Sequence, residues 1–187
     1  MRTGEVFARR KLTDGTGVTL RAPRAGDLDR MLRFANSLVR EKRRNPGLGI
    51  LMDKPFSRKE EEKFLKGVLE GIRRNDIVSV AAIIDGEIVG NTDLRRQRHG
   101  DVRHVGRFGI AVLKGYRGRG LGRLLTCMAL ERAERLGMTL VTLEAYASNN
   151  AALRLYKSMG FKELGRLPGG IRQGSEEIDL VHMFRQA

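Results

Sequence analysis

Between Val105 and Gly137 the chain changes character twice. VGRFGIAVL reads as a strand, KGYRGRGLGR carries glycines at 115, 118, 120 and 122, and LLTCMALERAERLG continues as an amphipathic helix. A backbone that passes from strand to helix through glycines turns sharply there. The first N–H groups of the helix then point into space that no Cβ fills, and the helix dipole favours an anion at that end. The stretch is therefore a candidate anion cradle, with Arg117, Arg119 and Arg123 as charged donors at its rim. On spacing alone, a tight turn with solvated arginines fits as well.

Other glycine-rich readings fail on particular residues. A dinucleotide fingerprint running from Gly118 and Gly120 needs its third glycine at 123, where Arg123 stands. A P-loop needs Lys and then Ser or Thr after Gly120, and Leu121 and Gly122 follow. Disordered arginine-glycine segments that bind RNA lie outside folded cores, whereas this one joins a strand to an apolar helix face.

The rest of the chain alternates in the same way. Residues 1–16 have few apolar anchors and are expected to fray or to add a short strand, so they form an N-terminal extension to a domain spanning 17–187. GVTLRAP is a strand, and a helix follows from Asp27 to the NPGLG turn. Ser57 and Glu60 form a capping box for a second helix, with Phe64, Leu65, Val68, Leu69 and Ile72 on one face. IVSVAAIID and EIVGNTDLRRQ flank Asp85-Gly86, a hairpin signal. After the glycine loop, Leu121, Leu124, Leu125, Met128 and Leu136 share a helix side, closed by Gly137. TLVTLEAYA is a central strand. Asn149 or Ser148 caps the short helix NAALRLYKSM, and FKELGRL and EEIDLVHMF are strands around a PGG turn. The expectation is an α+β fold: one mixed, mostly antiparallel sheet of about seven strands with four helices.

Composition narrows the setting. Lys and Arg number 36 against 22 Asp and Glu, a formal charge of +14. Such a charge attracts phosphates, nucleic acid or acidic surfaces without fixing a function, since 27 arginines to 9 lysines can reflect composition alone. The longest apolar run, Val78–Ile84, is too short to cross a bilayer. The basic N-terminus lacks the apolar stretch of a signal peptide, and Cys127 is the sole cysteine, so a cytoplasmic protein without membrane partners is expected.

Arg117-x-x-Gly120-x-Gly122, preceded by Ile110-Ala111-Val112, resembles the R/Q-x-x-G-x-G/A motif of the GCN5-related N-acetyltransferases. Asn149-x-x-Ala152-x-x-Leu155-Tyr156-x-x-x-Gly160-Phe161, behind LEAYASN, is similar to the companion motif of that family. The resemblance implies acetyl-CoA as co-substrate. Its pyrophosphate would lie on backbone N–H groups from Arg117 through Gly118, Arg119, Gly120, Leu121 and Gly122 to Arg123, and its pantetheine arm on the main chain of Ile110, Ala111 and Val112. It also implies a V-shaped slot between that strand and Thr139–Ala147.

Acetylating an amine requires an uncharged nitrogen, a stabilised oxyanion and a proton for the departing thiolate. Glu144, Asn149 and Tyr156 are spaced as in the ribosomal-protein alanine N-acetyltransferases. That resemblance implies Glu144 as base, Tyr156 as acid, and Asn149 on the cofactor arm or orienting the tyrosine. Burial of Glu144 among apolar neighbours would raise its pKa towards that of a useful base. Equally, Glu144 can be a structural partner of an arginine with a water chain as base, and Tyr156 a core aromatic. Ala145 and Tyr146 depart from the LEVRASN of that group, close to where the acceptor would lie.

Turn chemistry explains His99, Asp101 and His104, so no metal site is expected, and Cys127 reads as a small buried residue. Glu60, Glu61 and Glu62 read as a solvated face and cap, or as residues beside the acceptor. The expected activity is N-acetylation of a primary amine, on a protein N-terminus or a small amino compound, with a ribosomal or nucleic-acid setting compatible with the charge. Monomer and homodimer both fit. The contrasting reading is a non-catalytic regulatory module that keeps the CoA slot and binds nucleic acid through its basic surface.

Overall fold

The computed structural model describes residues 1–49, 52 and 54–186. Of the two alternatives for residues 1–16 the short strand is found: β1 (Val6–Lys11) pairs antiparallel with β2 (Gly17–Arg21). This edge strand makes the sheet eight-stranded rather than about seven-stranded. Asp27 precedes α1 (Leu28–Arg44), and Ser57 and Glu60 form the expected capping box on α2 (Arg58–Arg73). β3 (Ile77–Ile84) and β4 (Glu87–Arg96) are joined through Asp85 and Gly86, whose φ values of 49° and 79° are those of a twist-matched two-residue turn. There follow β5 (Val105–Val112), α3 (Leu121–Arg135), β6 (Leu140–Tyr146), α4 (Asn150–Ser158), β7 (Lys162–Gln173) and β8 (Glu176–Gln186). Among the described residues these make one mixed sheet with four helices, and no helix is long and apolar enough to cross a membrane.

The strand order is β1-β2-β3-β4-β5-β6-β8-β7, and only the β5–β6 pair is parallel. Helices cover both faces. One face carries the larger core, in which Leu20, Val80, Leu94 and Phe108 meet Leu125 and Ala129 of α3. The other carries a smaller core, Ala81 and Ile88 under Met31, Phe34 and Leu38 of α1. α3 lies close on β4 because Gly90 has no side chain: a Cβ there would stand 2.9 Å from Leu125 Cδ1.

Several local expectations shift. The buried stripe of α3 runs through Leu121, Leu125, Ala129 and Ala133, leaving Leu124 and Met128 at its margin. Phe64 is 40% exposed while Leu65, Val68, Leu69 and Ile72 are buried, because α2 meets the sheet along a narrower stripe than its apolar residues span. Cys127 is exposed rather than buried. The PGG sequence does not reverse the chain. It lies inside β7, where the register with β8 breaks between Leu167 and Ile171, and the reversal comes at Gly174 with φ 62°. A bulge absorbs Pro168, which has no N–H for the ladder.

Candidate active site

β5 and β6 pair only at Val105–Leu140, Gly106–Val141 and Arg107–Thr142. Beyond Arg107 and Thr142 both strands continue, to Val112 and Tyr146, without pairing to each other. Their outer edges hold them apart: β4 grips β5 as far as Gly90–Val112, and β8 grips β6 as far as Tyr146–Leu180. The opening between them is a cavity of about 770 Å³.

The glycine loop closes one end of this cavity. Gly118 and Gly120 have φ of 73° and 83°, a left-handed conformation that a side chain resists. Gly120 is also the N-cap of α3 and no side chain caps the helix, so its first-turn N–H groups lack a side-chain acceptor. A Cβ at Gly122 would lie 3.1 Å from Leu155 Cδ2, and around Gly118 the space is open. Backbone donors, a helix dipole and missing side chains together fit the pyrophosphate of acetyl-CoA.

The rim arginines divide their work. Arg123 lines the cavity. Arg117 lines it too, but its Nε donates to the Val112 carbonyl at 2.8 Å and its two terminal nitrogens lie 2.5 and 2.9 Å from the Glu41 carboxylate. Its own N–H donates to the Lys114 carbonyl at 3.3 Å, so the free backbone donors start further along the loop. Arg119 turns towards Asp14 at 3.0 Å and stands 5.6 Å from the Tyr116 ring centre. Leu121 is 1% exposed and belongs to the core. The β1–β2 turn supports the loop from behind, with Thr13 N–H donating to the Arg119 carbonyl at 3.2 Å.

Asn149 caps α4, its Oδ1 accepting from Ala152 N–H at 3.1 Å, while its Nδ2 donates to the Leu48 carbonyl at 3.1 Å. It therefore ties the α1–α2 connection to the cavity wall. Tyr156, about two helical turns further on, is only 7% exposed. Its ring meets Phe108 edge-on at 6.1 Å and Phe161 at 5.9 Å. Burial pushes its phenol up to about 12, so it stays protonated throughout the neutral range. Among the described residues its hydroxyl has no hydrogen-bond partner, and it lines the cavity.

Glu144 lines the same cavity but is not buried among apolar groups. Strand alternation turns it to the α1–α2 face of the sheet, where Arg107 Nη2 lies 2.7 Å and His182 Nδ1 3.9 Å from its carboxylate. The pairing with an arginine is the arrangement found, and the apolar setting expected for it is absent because β8 and β5 present polar side chains on that face. Ile110, Ala111 and Val112 form the opposite wall. Sequence reasoning missed Asn45, Gly47, Leu48 and Gly49, which line the cavity from the α1–α2 connection, and Arg154 on α4. The NPGLG stretch signals a turn, but nothing local signals what the turn covers.

An open slot between splayed parallel strands and an uncapped helix start at one end leave room for an extended, phosphorylated ligand. The chain belongs to the acetyltransferase (GNAT) family, whose model matches residues 38–161. It is thus an N-acetyltransferase with acetyl-CoA as co-substrate. It is 28% identical over 113 residues to the L-amino acid N-acetyltransferase AaaT of Escherichia coli, a match covering 60% of this chain and 70% of that one. It is 45% identical over 56 residues to the [ribosomal protein bS18]-alanine N-acetyltransferase of Escherichia coli, which spans 30% of this chain and 38% of the relative. In fold it is similar to a GNAT-family acetyltransferase from Streptococcus pneumoniae, with a TM-score of 0.81 and 24% identity over 91% of this chain and 99% of the other.

Proposed function

We propose that the chain acetylates the primary amine of an amino acid or of a protein N-terminus, using Tyr156 as the proton donor and Glu144 as the acceptor of the amine's proton. The observation that carries this reading is the convergence of Tyr156, Glu144 and the uncapped glycine loop on one cavity. Acetyl-CoA, when bound, supplies a thioester whose carbonyl carbon the amine attacks and whose thiolate departs. The N–H groups of Gly118 to Arg123 would hold its pyrophosphate, and the free edge of β5 at Ile110 and Ala111 its pantetheine arm. The Val112 carbonyl is less available, since Arg117 already bonds it.

The Tyr156 phenol, kept protonated by its aromatic surroundings, places an unshared O–H at the slot. Its high pKa makes it first a hydrogen-bond donor to developing negative charge and then a proton source. Glu144 reaches from β6 on the face opposite the α3–α4 core, so an acceptor amine enters from the α1–α2 side. Arg107 bonds Glu144 Oε2 at 2.7 Å and fixes the carboxyl in place, leaving Oε1, 3.9 Å from His182 Nδ1, to take the amine's proton. The two relatives named above act on an L-amino acid and on the alanine of a ribosomal protein. An α-amine acceptor follows that chemistry, and a cytoplasmic, ribosome-adjacent setting suits the charge of +14.

Thiol release from acetyl-CoA, measured with amino acids and N-terminal peptides and followed by mass spectrometry of the product, tests the reading. Acetylated α-amine is expected. Acetyl-CoA binding without transfer to any amine, together with salt-dependent retention of RNA, would replace it with the non-catalytic module.

A further inference from the structure

A second groove, of about 800 Å³, lies between α2 and the far end of β4. Six cationic side chains line it: Lys63, Arg74, Arg95, Arg96, Arg98 and Arg103. Against them stand two carboxylates, Glu60 and Asp76. Asp76 is engaged by Arg103 at 2.9 Å and Arg96 at 3.9 Å, and Arg95 by Asp93 at 2.9 Å. Lys63 and Arg98 have no carboxylate partner among the described residues, and Arg74 is held only by an exposed contact of 3.3 Å to Glu70. The groove thus offers unneutralised positive charge, beside the exposed ring of Phe64.

Its position connects it to the reaction site. Arg95 of β4 is the direct cross-strand partner of Arg107 on β5, and Arg107 bonds Glu144. Facing partners in a sheet lie about 5 Å apart. A row of charge, Glu144 to Arg107 to Arg95, therefore leads along one face of the sheet into the groove.

We propose that this groove takes an acidic peptide segment of the acceptor, a few residues beyond the amine that is acetylated. The proposal rests on the placement of the amine at Glu144. About four residues of extended chain, at about 3.3 Å each, span the row from Glu144 into the groove. Guanidinium forks favour carboxylates, which they bind with two parallel hydrogen bonds. Nucleic acid fits less well. The one aromatic ring, Phe64, already has the Arg95 guanidinium 5.4 Å from its centre, leaving no series of stacking platforms, and Glu60 and Asp76 repel a continuous run of phosphates.

Two measurements test this with the full chain. The first compares kcat/KM for peptides that share their first three residues and continue with alternating Asp-Glu or Ser-Gln. The acidic peptide is expected to be favoured about tenfold, mainly through KM, with the ratio falling to about one in Arg74→Ser/Arg98→Ser and at high salt. The second follows anisotropy of the fluorescent acidic peptide with its N-terminus already acetylated, which reads the groove without turnover; the double variant should weaken binding about tenfold. Equal kcat/KM for the two peptides, a ratio that survives in the double variant, or displacement of the acidic peptide only by oligonucleotide would overturn the proposal. Acidic-peptide binding without acetylation of any amine would sustain the groove and sink the reaction assignment.

Discussion

The two sides of the slot are built by different means. The donor side, from β5 through the glycine loop to α3 and α4, is made of backbone: free strand edges, uncapped N–H groups and glycines at positive φ, all within Val105–Phe161. The side proposed for the acceptor is made of side chains that meet across long stretches of sequence. Arg107 meets Glu144 and α2 brings Glu61 to Asp93, while Arg117 to Glu41 and Asn149 to the Leu48 carbonyl tie the donor side to α1 and the connection after it. Buried polar atoms without a partner among the described residues occur on both sides: Ser79 Oγ and Asn91 Oδ1 on the acceptor side, Arg132 Nε on α3. A common donor calls for a site encoded locally, whereas an acceptor site is free to be assembled from loops and faces that vary.

The largest effect on chemistry is expected from the side chain on the donor side that faces both. Tyr156→Phe keeps the ring contacts with Phe108 and Phe161 and removes only the hydroxyl. It should lower kcat by about 10² to 10³ with acetyl-CoA affinity nearly unchanged. Steady-state kinetics beside calorimetry decides it. Comparable losses in kcat and donor affinity would mean that the hydroxyl shapes the slot instead.

The acceptor side should break structurally at the base of α1. Asp27 is wholly buried, and Arg21 bonds both its oxygens at 2.6 Å while Arg24 N–H adds a third bond at 2.9 Å. Burial alone would raise this carboxyl, but the Arg21 and Arg24 bonds and charges outweigh it and hold it below the ordinary range. Its contribution is complete above the unfolded carboxylate value and is lost as pH falls through the lower folded value. Asp27→Asn leaves the Arg21 charge buried, so denaturant unfolding at neutral pH should show a loss of about 3 kcal/mol. A loss below about 0.5 kcal/mol would show that water, not the pair, satisfies Arg21.

Legibility follows the same division. The strand, loop and helix of the donor side were readable because periodicity, glycine and capping act over a few residues, and the Ser57–Glu60 cap of α2 and the Asp85-Gly86 turn, outside that side, were readable for the same reason. Glu144 was placed on its strand but not in its surroundings, since Arg107 and His182 come from strands 37 and 38 positions away in the numbering. The PGG bulge misled for a related reason. Its glycines satisfy turn chemistry and bulge chemistry equally, and only pairing with β8 distinguishes them.

A smaller effect is expected in the loop itself. Gly120→Ala meets no crowding, since the nearest atom to its Cβ is Thr13 Cγ2 at 3.6 Å, so the cost is that of φ 83° for an L residue, about 1 kcal/mol. The loop would relax and misdirect its N–H groups, weakening acetyl-CoA about tenfold while acceptor KM stays put. Calorimetry with acetyl-CoA reads this directly. Unchanged affinity would move the donor's phosphates elsewhere.

The smallest effect lies on the acceptor side and has the opposite sign. Glu61 is 2% exposed on α2, and burial, reinforced by the Asp93 charge, pushes its carboxyl above the usual 4.5. A carboxyl raised on folding binds its proton more tightly in the folded chain. Stability therefore declines as pH rises from near 4.5 through the raised value, and the full penalty applies above it. Glu61→Gln removes the charge and keeps the shape, so it should stabilise the protein by about 1 kcal/mol at pH 8 and by nearly nothing at pH 4. Urea midpoints at the two pH values test the sign. Destabilisation at pH 8 would mean that a partner holds the Glu61 carboxylate.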